Sequence, residues 1–379
     1  MQSKLIVVAR HRVHLAVVAA LLASVVPLSS VIAQQSVDEV AGYATTQAHE
    51  TWRESMRHID PPAEGCYHAS FPSINWKPVA CVQAPKSYRS RHAVFTQKND
   101  QTVGNGYDYV FQAPSGSSIS SAVGSFPTVT GVTSEKTTGA ISGEGSNGAN
   151  EYTLQLNTNF DFDAAACNGY QTGDNSGCYS WQQYVLESDG SNGSQVFIQD
   201  WLENYGNDPN QDGGDQPGDQ SYCPNGWDDA GPDQNGPGDD CVINSNSATI
   251  STKALSITNL ASLKLAGTAT ASGTDKATVT YGTEAYTASI KDSNTNIASG
   301  WTQAEFNIFG NGGAGEASFN KKASVTVKLA ASDGSTKAPT CLKPSSRPGT
   351  TGETNNLTYG SSCTTTSGST PSIQFTESD

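Results

Sequence analysis

The residues best suited to chemistry in this chain are carboxylates and amides set in β-prone runs. Glu305 lies between Ala304 and Phe306 in the run Trp301-Thr302-Gln303-Ala304-Glu305-Phe306-Asn307-Ile308-Phe309. A carboxylate partly buried in so apolar a stretch, beside Trp301, has its charged form disfavoured, and its proton affinity rises toward that of a working general base. Other routes close quickly. No G-x-S-x-G elbow occurs, and the histidines (His11, His14, His49, His58, His68, His92) all precede the β-prone part of the chain. The eight cysteines form an even set, and paired cysteines are not nucleophiles. A reaction here would rest on carboxylate acid and base.

Holding such a group calls for strands, and these begin at about Gly104 and continue to about Leu329. Short β-prone runs at 107–112, 119–126, 151–158, 179–187, 195–203, 248–258, 260–271, 276–281, 285–290, 302–309 and 323–329 are separated by Gly, Ser, Asn and Asp. Runs this numerous, with no helical pattern between them, predict an all-β fold, an antiparallel sandwich of the jelly-roll or concanavalin-like kind. A short N-terminal helix precedes it over 37–58, stopped by Pro61-Pro62.

Successive strand residues face opposite ways. One face of 301–309 carries Trp301, Gln303, Glu305, Asn307 and Phe309, and the other carries the core residues Ala304, Phe306 and Ile308. The run 195–203 likewise groups Gln195, Phe197, Gln199, Trp201 and Glu203, and 179–187 groups Trp181, Gln183 and Glu187. Each strand read alone describes a solvated sheet face. The same mixture on all of them describes a groove for an extended polymer, with Trp181, Trp201, Trp301, Gln303 and Asn307 as the substrate-binding set.

At this point the chain resembles the glutamic peptidases (eqolisins), secreted β-sandwich enzymes with a glutamine and glutamate dyad. The similarity rests on "AEFNIFG" at 304–310, "VFIQDW" at 196–201 and "SW" at 180–181, in the family's order, and spans about residues 105–330. It implies that Gln199 polarises the scissile carbonyl and holds the oxyanion, and that Glu305 takes a proton from water and returns it to the leaving amine. The family's Val-Gly-Ile-Asp-Gly pattern is replaced after Trp181 by "QQYVLESDG", where Asp189 is the candidate for the supporting aspartate. In the related neprosin-like peptidases a second glutamate takes part, for which Glu187 or Glu203 would serve. The alternative class is a carbohydrate-binding or polysaccharide-cleaving sandwich. Cleavage would need two carboxylates roughly 5 to 10 Å apart.

Between Gln199 and Glu305 lies an acidic insertion, residues 206–241. Asp208, Asn210, Asp212 and Gly213 match the first half of a calcium loop, and Asp219 falls at its twelfth position. The rhythm of aspartate and cysteine resembles thrombospondin type 3 repeats. A structural Ca2+ held by Asp208, Asn210, Asp212 and Asp219 is therefore expected.

Lys4, Arg10 and Arg12 precede an apolar run to Leu28 and a small-x-small site ending at Ala33, the pattern of a secretory signal over 1–33. Cysteines paired by nearness (66 with 81, 167 with 178, 223 with 241, 341 with 363) suit an exported, extracellular protein. Without the signal, 18 basic residues stand against 36 acidic ones, a net charge of −18. That excess opposes nucleic acid and anionic membranes as partners. The expected organisation is a lead-in at 34–103, a removable pro-segment or a packing element, then a sandwich at 104–330 and a Ser/Thr/Gly-rich tail at 331–379. The chain is expected to work as a monomer on a polypeptide or polysaccharide.

Overall fold

A computed structural model of the protein describes residues 29–85, 109–141, 145–162, 164–167, 177–206, 223–232, 238–343 and 352–379. The chain divides into two compact units, Met1–Ala48 and His49–Asp379. The expected helix is present as α1 (Ser29–His58), begins earlier than the spacing suggested and ends ahead of Pro61-Pro62. Every strand among the described residues lies in the second unit. In chain order they are β1 (Cys66–Ser70), β2 (Lys77–Pro78), β3 (Val82–Gln83), β4 (Val110–Gln112), β5 (Ser121–Thr130), β6 (Glu135–Thr138) and β7 (Tyr152–Thr158). Then come β8 (Tyr179–Asp189), β9 (Gly193–Tyr205), β10 (Asp228–Pro232), β11 (Asp239–Asn244), β12 (Asn246–Ser251), β13 (Leu263–Thr268), β14 (Thr274–Tyr281) and β15 (Glu284–Lys291). A short helix, α2 (Ile297–Gly300), leads to β16 (Gln303–Gly310), β17 (Glu316–Phe319), β18 (Ser324–Ser332), β19 (Thr340–Leu342), β20 (Thr354–Asn355), β21 (Thr358–Thr366) and β22 (Ser372–Ser378).

These strands make the all-β sandwich that the alternation predicts. One sheet runs β2, β1, β15, β14, β13, β5, β18, β22, β21, and the other runs β10, β11, β9, β8, β7, β16, β4, β19, with β12 also paired to β9 and β3 to β12. Neighbours are antiparallel in the register-defining pairs of both sheets. A small third sheet, β20, β17, β6, includes the parallel pair β17 and β20. Between the large sheets Leu154, Leu186, Ile198, Phe306 and Ile308 meet Leu265, Val279, Val327 and Ile373 in one core. The approach is close enough that a Cβ on Gly124 would fall 2.1 Å from the Phe306 ring.

One strand is shorter than its run suggested, and the segments before and after the sandwich pack with it. The run 248–258 does not continue as strand, because Ser256 caps a 3₁₀ turn at Ile257–Ser262 through Thr258 N. The lead-in is built into the sandwich: β1 pairs with β15 from Cys66↔Ala288 to Ser70↔Glu284, and Trp52, Met56, Tyr67 and Trp76 bury together with Ala285. The tail is likewise structural, since β21 and β22 extend one sheet beside β18 and β19 edges the other. All four cysteine pairs form as their spacing suggested: 66 with 81, 167 with 178, 223 with 241, and 341 with 363. No helix among the described residues is long and apolar enough to cross a membrane.

Trp301 belongs to this core and not to a groove. It is the C-cap of α2, ahead of the first residue of β16, so the two-residue period of the strand does not reach it. Its ring packs on Tyr184 at 5.7 Å and its Nε1 donates to the Gln303 carbonyl at 2.7 Å. Trp301→Ala should therefore cost about 3–5 kcal/mol of stability. The check is a denaturant titration; a loss under about 1 kcal/mol would return Trp301 to the surface.

Candidate active site

The face of the β9, β8, β7, β16 array turned away from the core is a grid of amide, acid and aromatic side chains. Direct pairing places Gln199 opposite Gln183, Gln183 opposite Asn157, and Asn157 opposite Glu305, so all four share one row across four strands. The row to one side holds Trp201 and Trp181. To the other side come Phe197, Val185, Gln155 and Asn307, then Gln195, Glu187, Thr153 and Phe309. On β8, β9 and β16 the grouping follows the alternation of the sequence, Trp301 excepted.

It did not identify its cover. β7, β8 and β16 are buried along their full length, on both faces. Ala84, in the segment after β3, packs on Val185 and Phe197. What remains is a narrow pocket of about 20 Å³, lined by Thr153, Gln155, Trp181, Gln183, Val185, Phe197, Gln199, Trp201, Gly312 and Glu353. Glu353, 4% exposed, was missed by sequence reasoning because it sits just before β20, on no long alternating strand.

The chemistry of the row follows from its hydrogen bonds. Glu305 is fully buried, and Asn157 Nδ2 donates to its Oε2 at 2.7 Å. Trp201 Nε1 donates to Gln199 Oε1 at 2.9 Å. Because an indole N–H only donates, its partner must be the amide oxygen, which leaves the Gln199 NH2 as the group presented elsewhere. That Nε2 is buried and has no hydrogen-bond acceptor among the described residues. Gln183 donates to Gln155 Oε1 at 3.2 Å, and Gln155 to Thr153 Oγ1 at 3.0 Å. Gln155, Gln183 and Gln199 line the pocket, whereas Glu305 and Asn157 are fully buried outside its lining; a carboxylate and donor-presenting amides are the groups that can take a proton from water and hold an oxyanion.

The expected residues do not all converge. Gln199 and Glu305 lie three strands apart, roughly 14 Å between backbones at about 4.8 Å per strand. Gln183 is the nearer amide, at two strands. Trp181 and Trp201 do come together, stacked at 5.7 Å with planes 10° apart, within a cluster with Phe160, Phe162 and Tyr179. Gln303 Nε2 donates to Gln112 Oε1 at 2.7 Å, outside the pocket lining. Asn307 Nδ2 donates to Glu377 on β22 at 3.1 Å and so ties the two sheets together. Among the alternative acids, Glu187 accepts from Gln195 Nε2 and Glu203 from Trp181 Nε1, each at 2.6 Å. Asp189 organises the β8 to β9 turn, accepting from Ser191 N and Asn192 N; burial pushes its carboxyl up, and these bonds and the Ser191 hydroxyl more than reverse that.

A Ser, His and Glu cluster elsewhere, Ser70, His68 and Glu284, is not a triad. The same His68 Nε2 approaches both Glu284 at 2.6 Å and Ser70 at 3.4 Å, whereas a relay needs both ring nitrogens. The calcium ligands Asp208, Asn210, Asp212 and Asp219 lie outside the described residues. At the loop's base Asp239 pairs with Tyr205, and Cys223 is bridged to Cys241.

Directly behind the row, on the core side of the same strands, lies a second polar group. Gln182 Nε2 donates to Asp200 Oδ1 at 2.8 Å and to Asp275 Oδ2 at 2.9 Å, joining β8, β9 and β14. Asn294 donates to Asp200 Oδ2, and Thr270 N to Asp275 Oδ1, each at 2.9 Å. Burial pushes Asp200 up to about 7 and Asp275 up to about 8. The signal was present in the sequence: Asp200 has the parity of Ile198 and Leu202, and Gln182 that of Tyr184.

No family model matches the chain, and no curated protein does. Among solved structures, the chain is similar to the crystal structure of scytalido-glutamic peptidase with a transition state analog inhibitor, at 13% identity and a TM-score of 0.25, over 72% of this chain and 98% of that one. A likeness at that level assigns neither an activity nor a residue to this chain.

Proposed function

We propose that this protein is a secreted hydrolase that cleaves extended polypeptides in acidic surroundings. Glu305 activates the water, and a side-chain amide of the groove polarises the scissile carbonyl. The observation that carries this reading is the row Gln199, Gln183, Asn157, Glu305, with Asn157 holding the buried carboxylate at 2.7 Å. The row is roughly 14 Å long, and of its members Gln183 and Gln199 line the pocket. Gln183, nearer to Glu305, is the first choice for the polarising amide, and Gln199 holds the next carbonyl along. Four disulfides agree with an exported protein.

The test is digestion of a denatured protein by the purified mature chain at about pH 3–5, in the range where carboxylates titrate, with fragments read by mass spectrometry. No cleavage at any pH would end the proposal. Release of sugar ends from a polysaccharide in its place would move the same groove to the alternative class.

A structural Ca2+ on Asp208, Asn210, Asp212 and Asp219 remains part of the reading, supported by their spacing and by the crowding of aspartates, whose repulsion a cation relieves. A chelator should lower the melting temperature and added calcium restore it. An unchanged melting curve under both would remove calcium from the account.

A further inference from the structure

The segment that covers part of the groove is itself an extended peptide, and its contacts describe a ligand. Val82 and Gln83 (β3) run antiparallel to β12, with Val82 opposite Ser247 and Gln83 opposite Asn246. The chain then turns onto the grid. Ala84, 6% exposed, packs on Val185 and Phe197, which both line the narrow pocket. The Pro85 carbonyl accepts from Asn244 Nδ2 at 2.7 Å. Asn244 pairs directly with Gln199, so it extends the row of Gln199 and Gln183 by one strand.

We propose that the strap Val82–Pro85 is a tethered stand-in for the groove's ligand, an extended peptide with a small side chain seated on Val185 and Phe197 and the next residue's carbonyl held by the Asn244 amide. That this peptide is also a substrate rests on the hydrolytic reading above; that it binds does not.

Recognition of an extended chain needs donors for its carbonyls and seats for its side chains. A carbonyl only accepts, so the bond to Pro85 fixes Nδ2 as the group that Asn244 turns toward the strap. Beside it in the row, Gln199 Nε2 is buried without an acceptor among the described residues, a donor for a further carbonyl. The seat sets the size limit, because Val185 and Phe197 are 3% and 1% exposed and close on a single methyl group. The Cys66–Cys81 bridge and the pairing of β1 with β15 hold the chain just ahead of the strap. A tether this short gives the strap a high effective concentration at the groove, and a free peptide must displace it.

The experiment is fluorescence anisotropy of labelled acetyl-Val-Gln-Ala-Pro-amide with the mature chain at about pH 7. Ala84→Arg, too large for the seat, should expel the strap and bind the peptide at least about tenfold more tightly than the wild type does. Ala84→Glu serves the same purpose if Ala84→Arg does not fold. With the strap expelled, Asn244→Asp keeps the shape and removes the donor, and should weaken binding at least about tenfold. The same peptide with tryptophan in place of its alanine should bind at least about tenfold more weakly. Binding to neither chain, equal binding to both, or indifference to Asn244→Asp or to the tryptophan would overturn the proposal. Those results leave the digestion of denatured protein by the wild type untouched. Binding as described with no cleavage at any pH keeps the peptide site and ends the hydrolytic reading alone.

Discussion

Glu305→Gln is expected to leave a folded protein that has lost peptide hydrolysis by about 10²- to 10⁴-fold, the range removed with a general base. The substitution keeps shape and volume, and Asn157 Nδ2 can donate to the new amide oxygen as it does to Oε2. What disappears is the ability to accept a proton from water. The control for position as opposed to chemistry is Asn157→Ala. A hydrogen bond to the charged form of a carboxylate favours that form. Without it the acid limb of the pH–rate profile should move to higher pH, while Glu305 itself is still present. Full activity in Glu305→Gln, with an unchanged melting curve, would place the reaction elsewhere.

The second large effect concerns stability. The protein should lose stability steadily between about pH 4 and pH 8, through the buried group Asp200, Gln182 and Asp275. Burial is the main influence on both carboxyls, lifting Asp200 from 3.8 to about 7 and Asp275 from 3.8 to about 8 against the downward pull of their hydrogen bonds. Since the folded values lie above the unfolded ones, the folded chain holds these protons more tightly. Their contribution is full below about pH 4 and is lost as pH rises through 7 to 8. Glu135, raised from 4.5 to about 8 chiefly by burial, has the same sign. Each pH unit of separation is worth about 1.4 kcal/mol, so the coupled pair is worth on the order of several kcal/mol.

Groups of the opposite sign act at lower pH. Burial pushes the Glu50 carboxyl up, but hydrogen bonds and charges from Lys264 and Arg53 bring it down to about 2, so its contribution is present above the ordinary carboxylate range and fades as pH falls. The maximum of stability should therefore be mildly acidic. The measurement is a series of melting curves, with a drop on the order of 10 °C from pH 4 to pH 8. Asp200→Asn should flatten that slope, with Asn294 turning its carbonyl toward the new amide. A melting temperature that holds or rises across this range would refute the account. Because Gln182 and Asp200 alternate along β8 and β9 with Gln183 and Gln199, loosening them would also disturb the groove.

Much of this was legible in the residues. The alternation in β8, β9 and β16 assigned the core face, and nearness in sequence paired the cysteines. Both are local properties: a strand repeats every two residues, and a short loop brings its ends together. The reading failed where the period stopped. Trp301 was carried onto the groove face because it precedes Gln303 by two residues, yet it closes a helical turn and faces the core. Asn307 has the right parity, but its amide is taken by Glu377, 70 residues away.

The sequence by itself determined the sandwich, its disulfides and the composition of one sheet face, since each depends on near neighbours in the chain. Only the tertiary structure decided which of those side chains share a row, that Asn157 and Gln183 stand between Gln199 and Glu305, that Glu353 lines the pocket, and that two aspartates share one glutamine inside. These follow from strand order and register, which arise when distant strands bury a common core, and no local period encodes them.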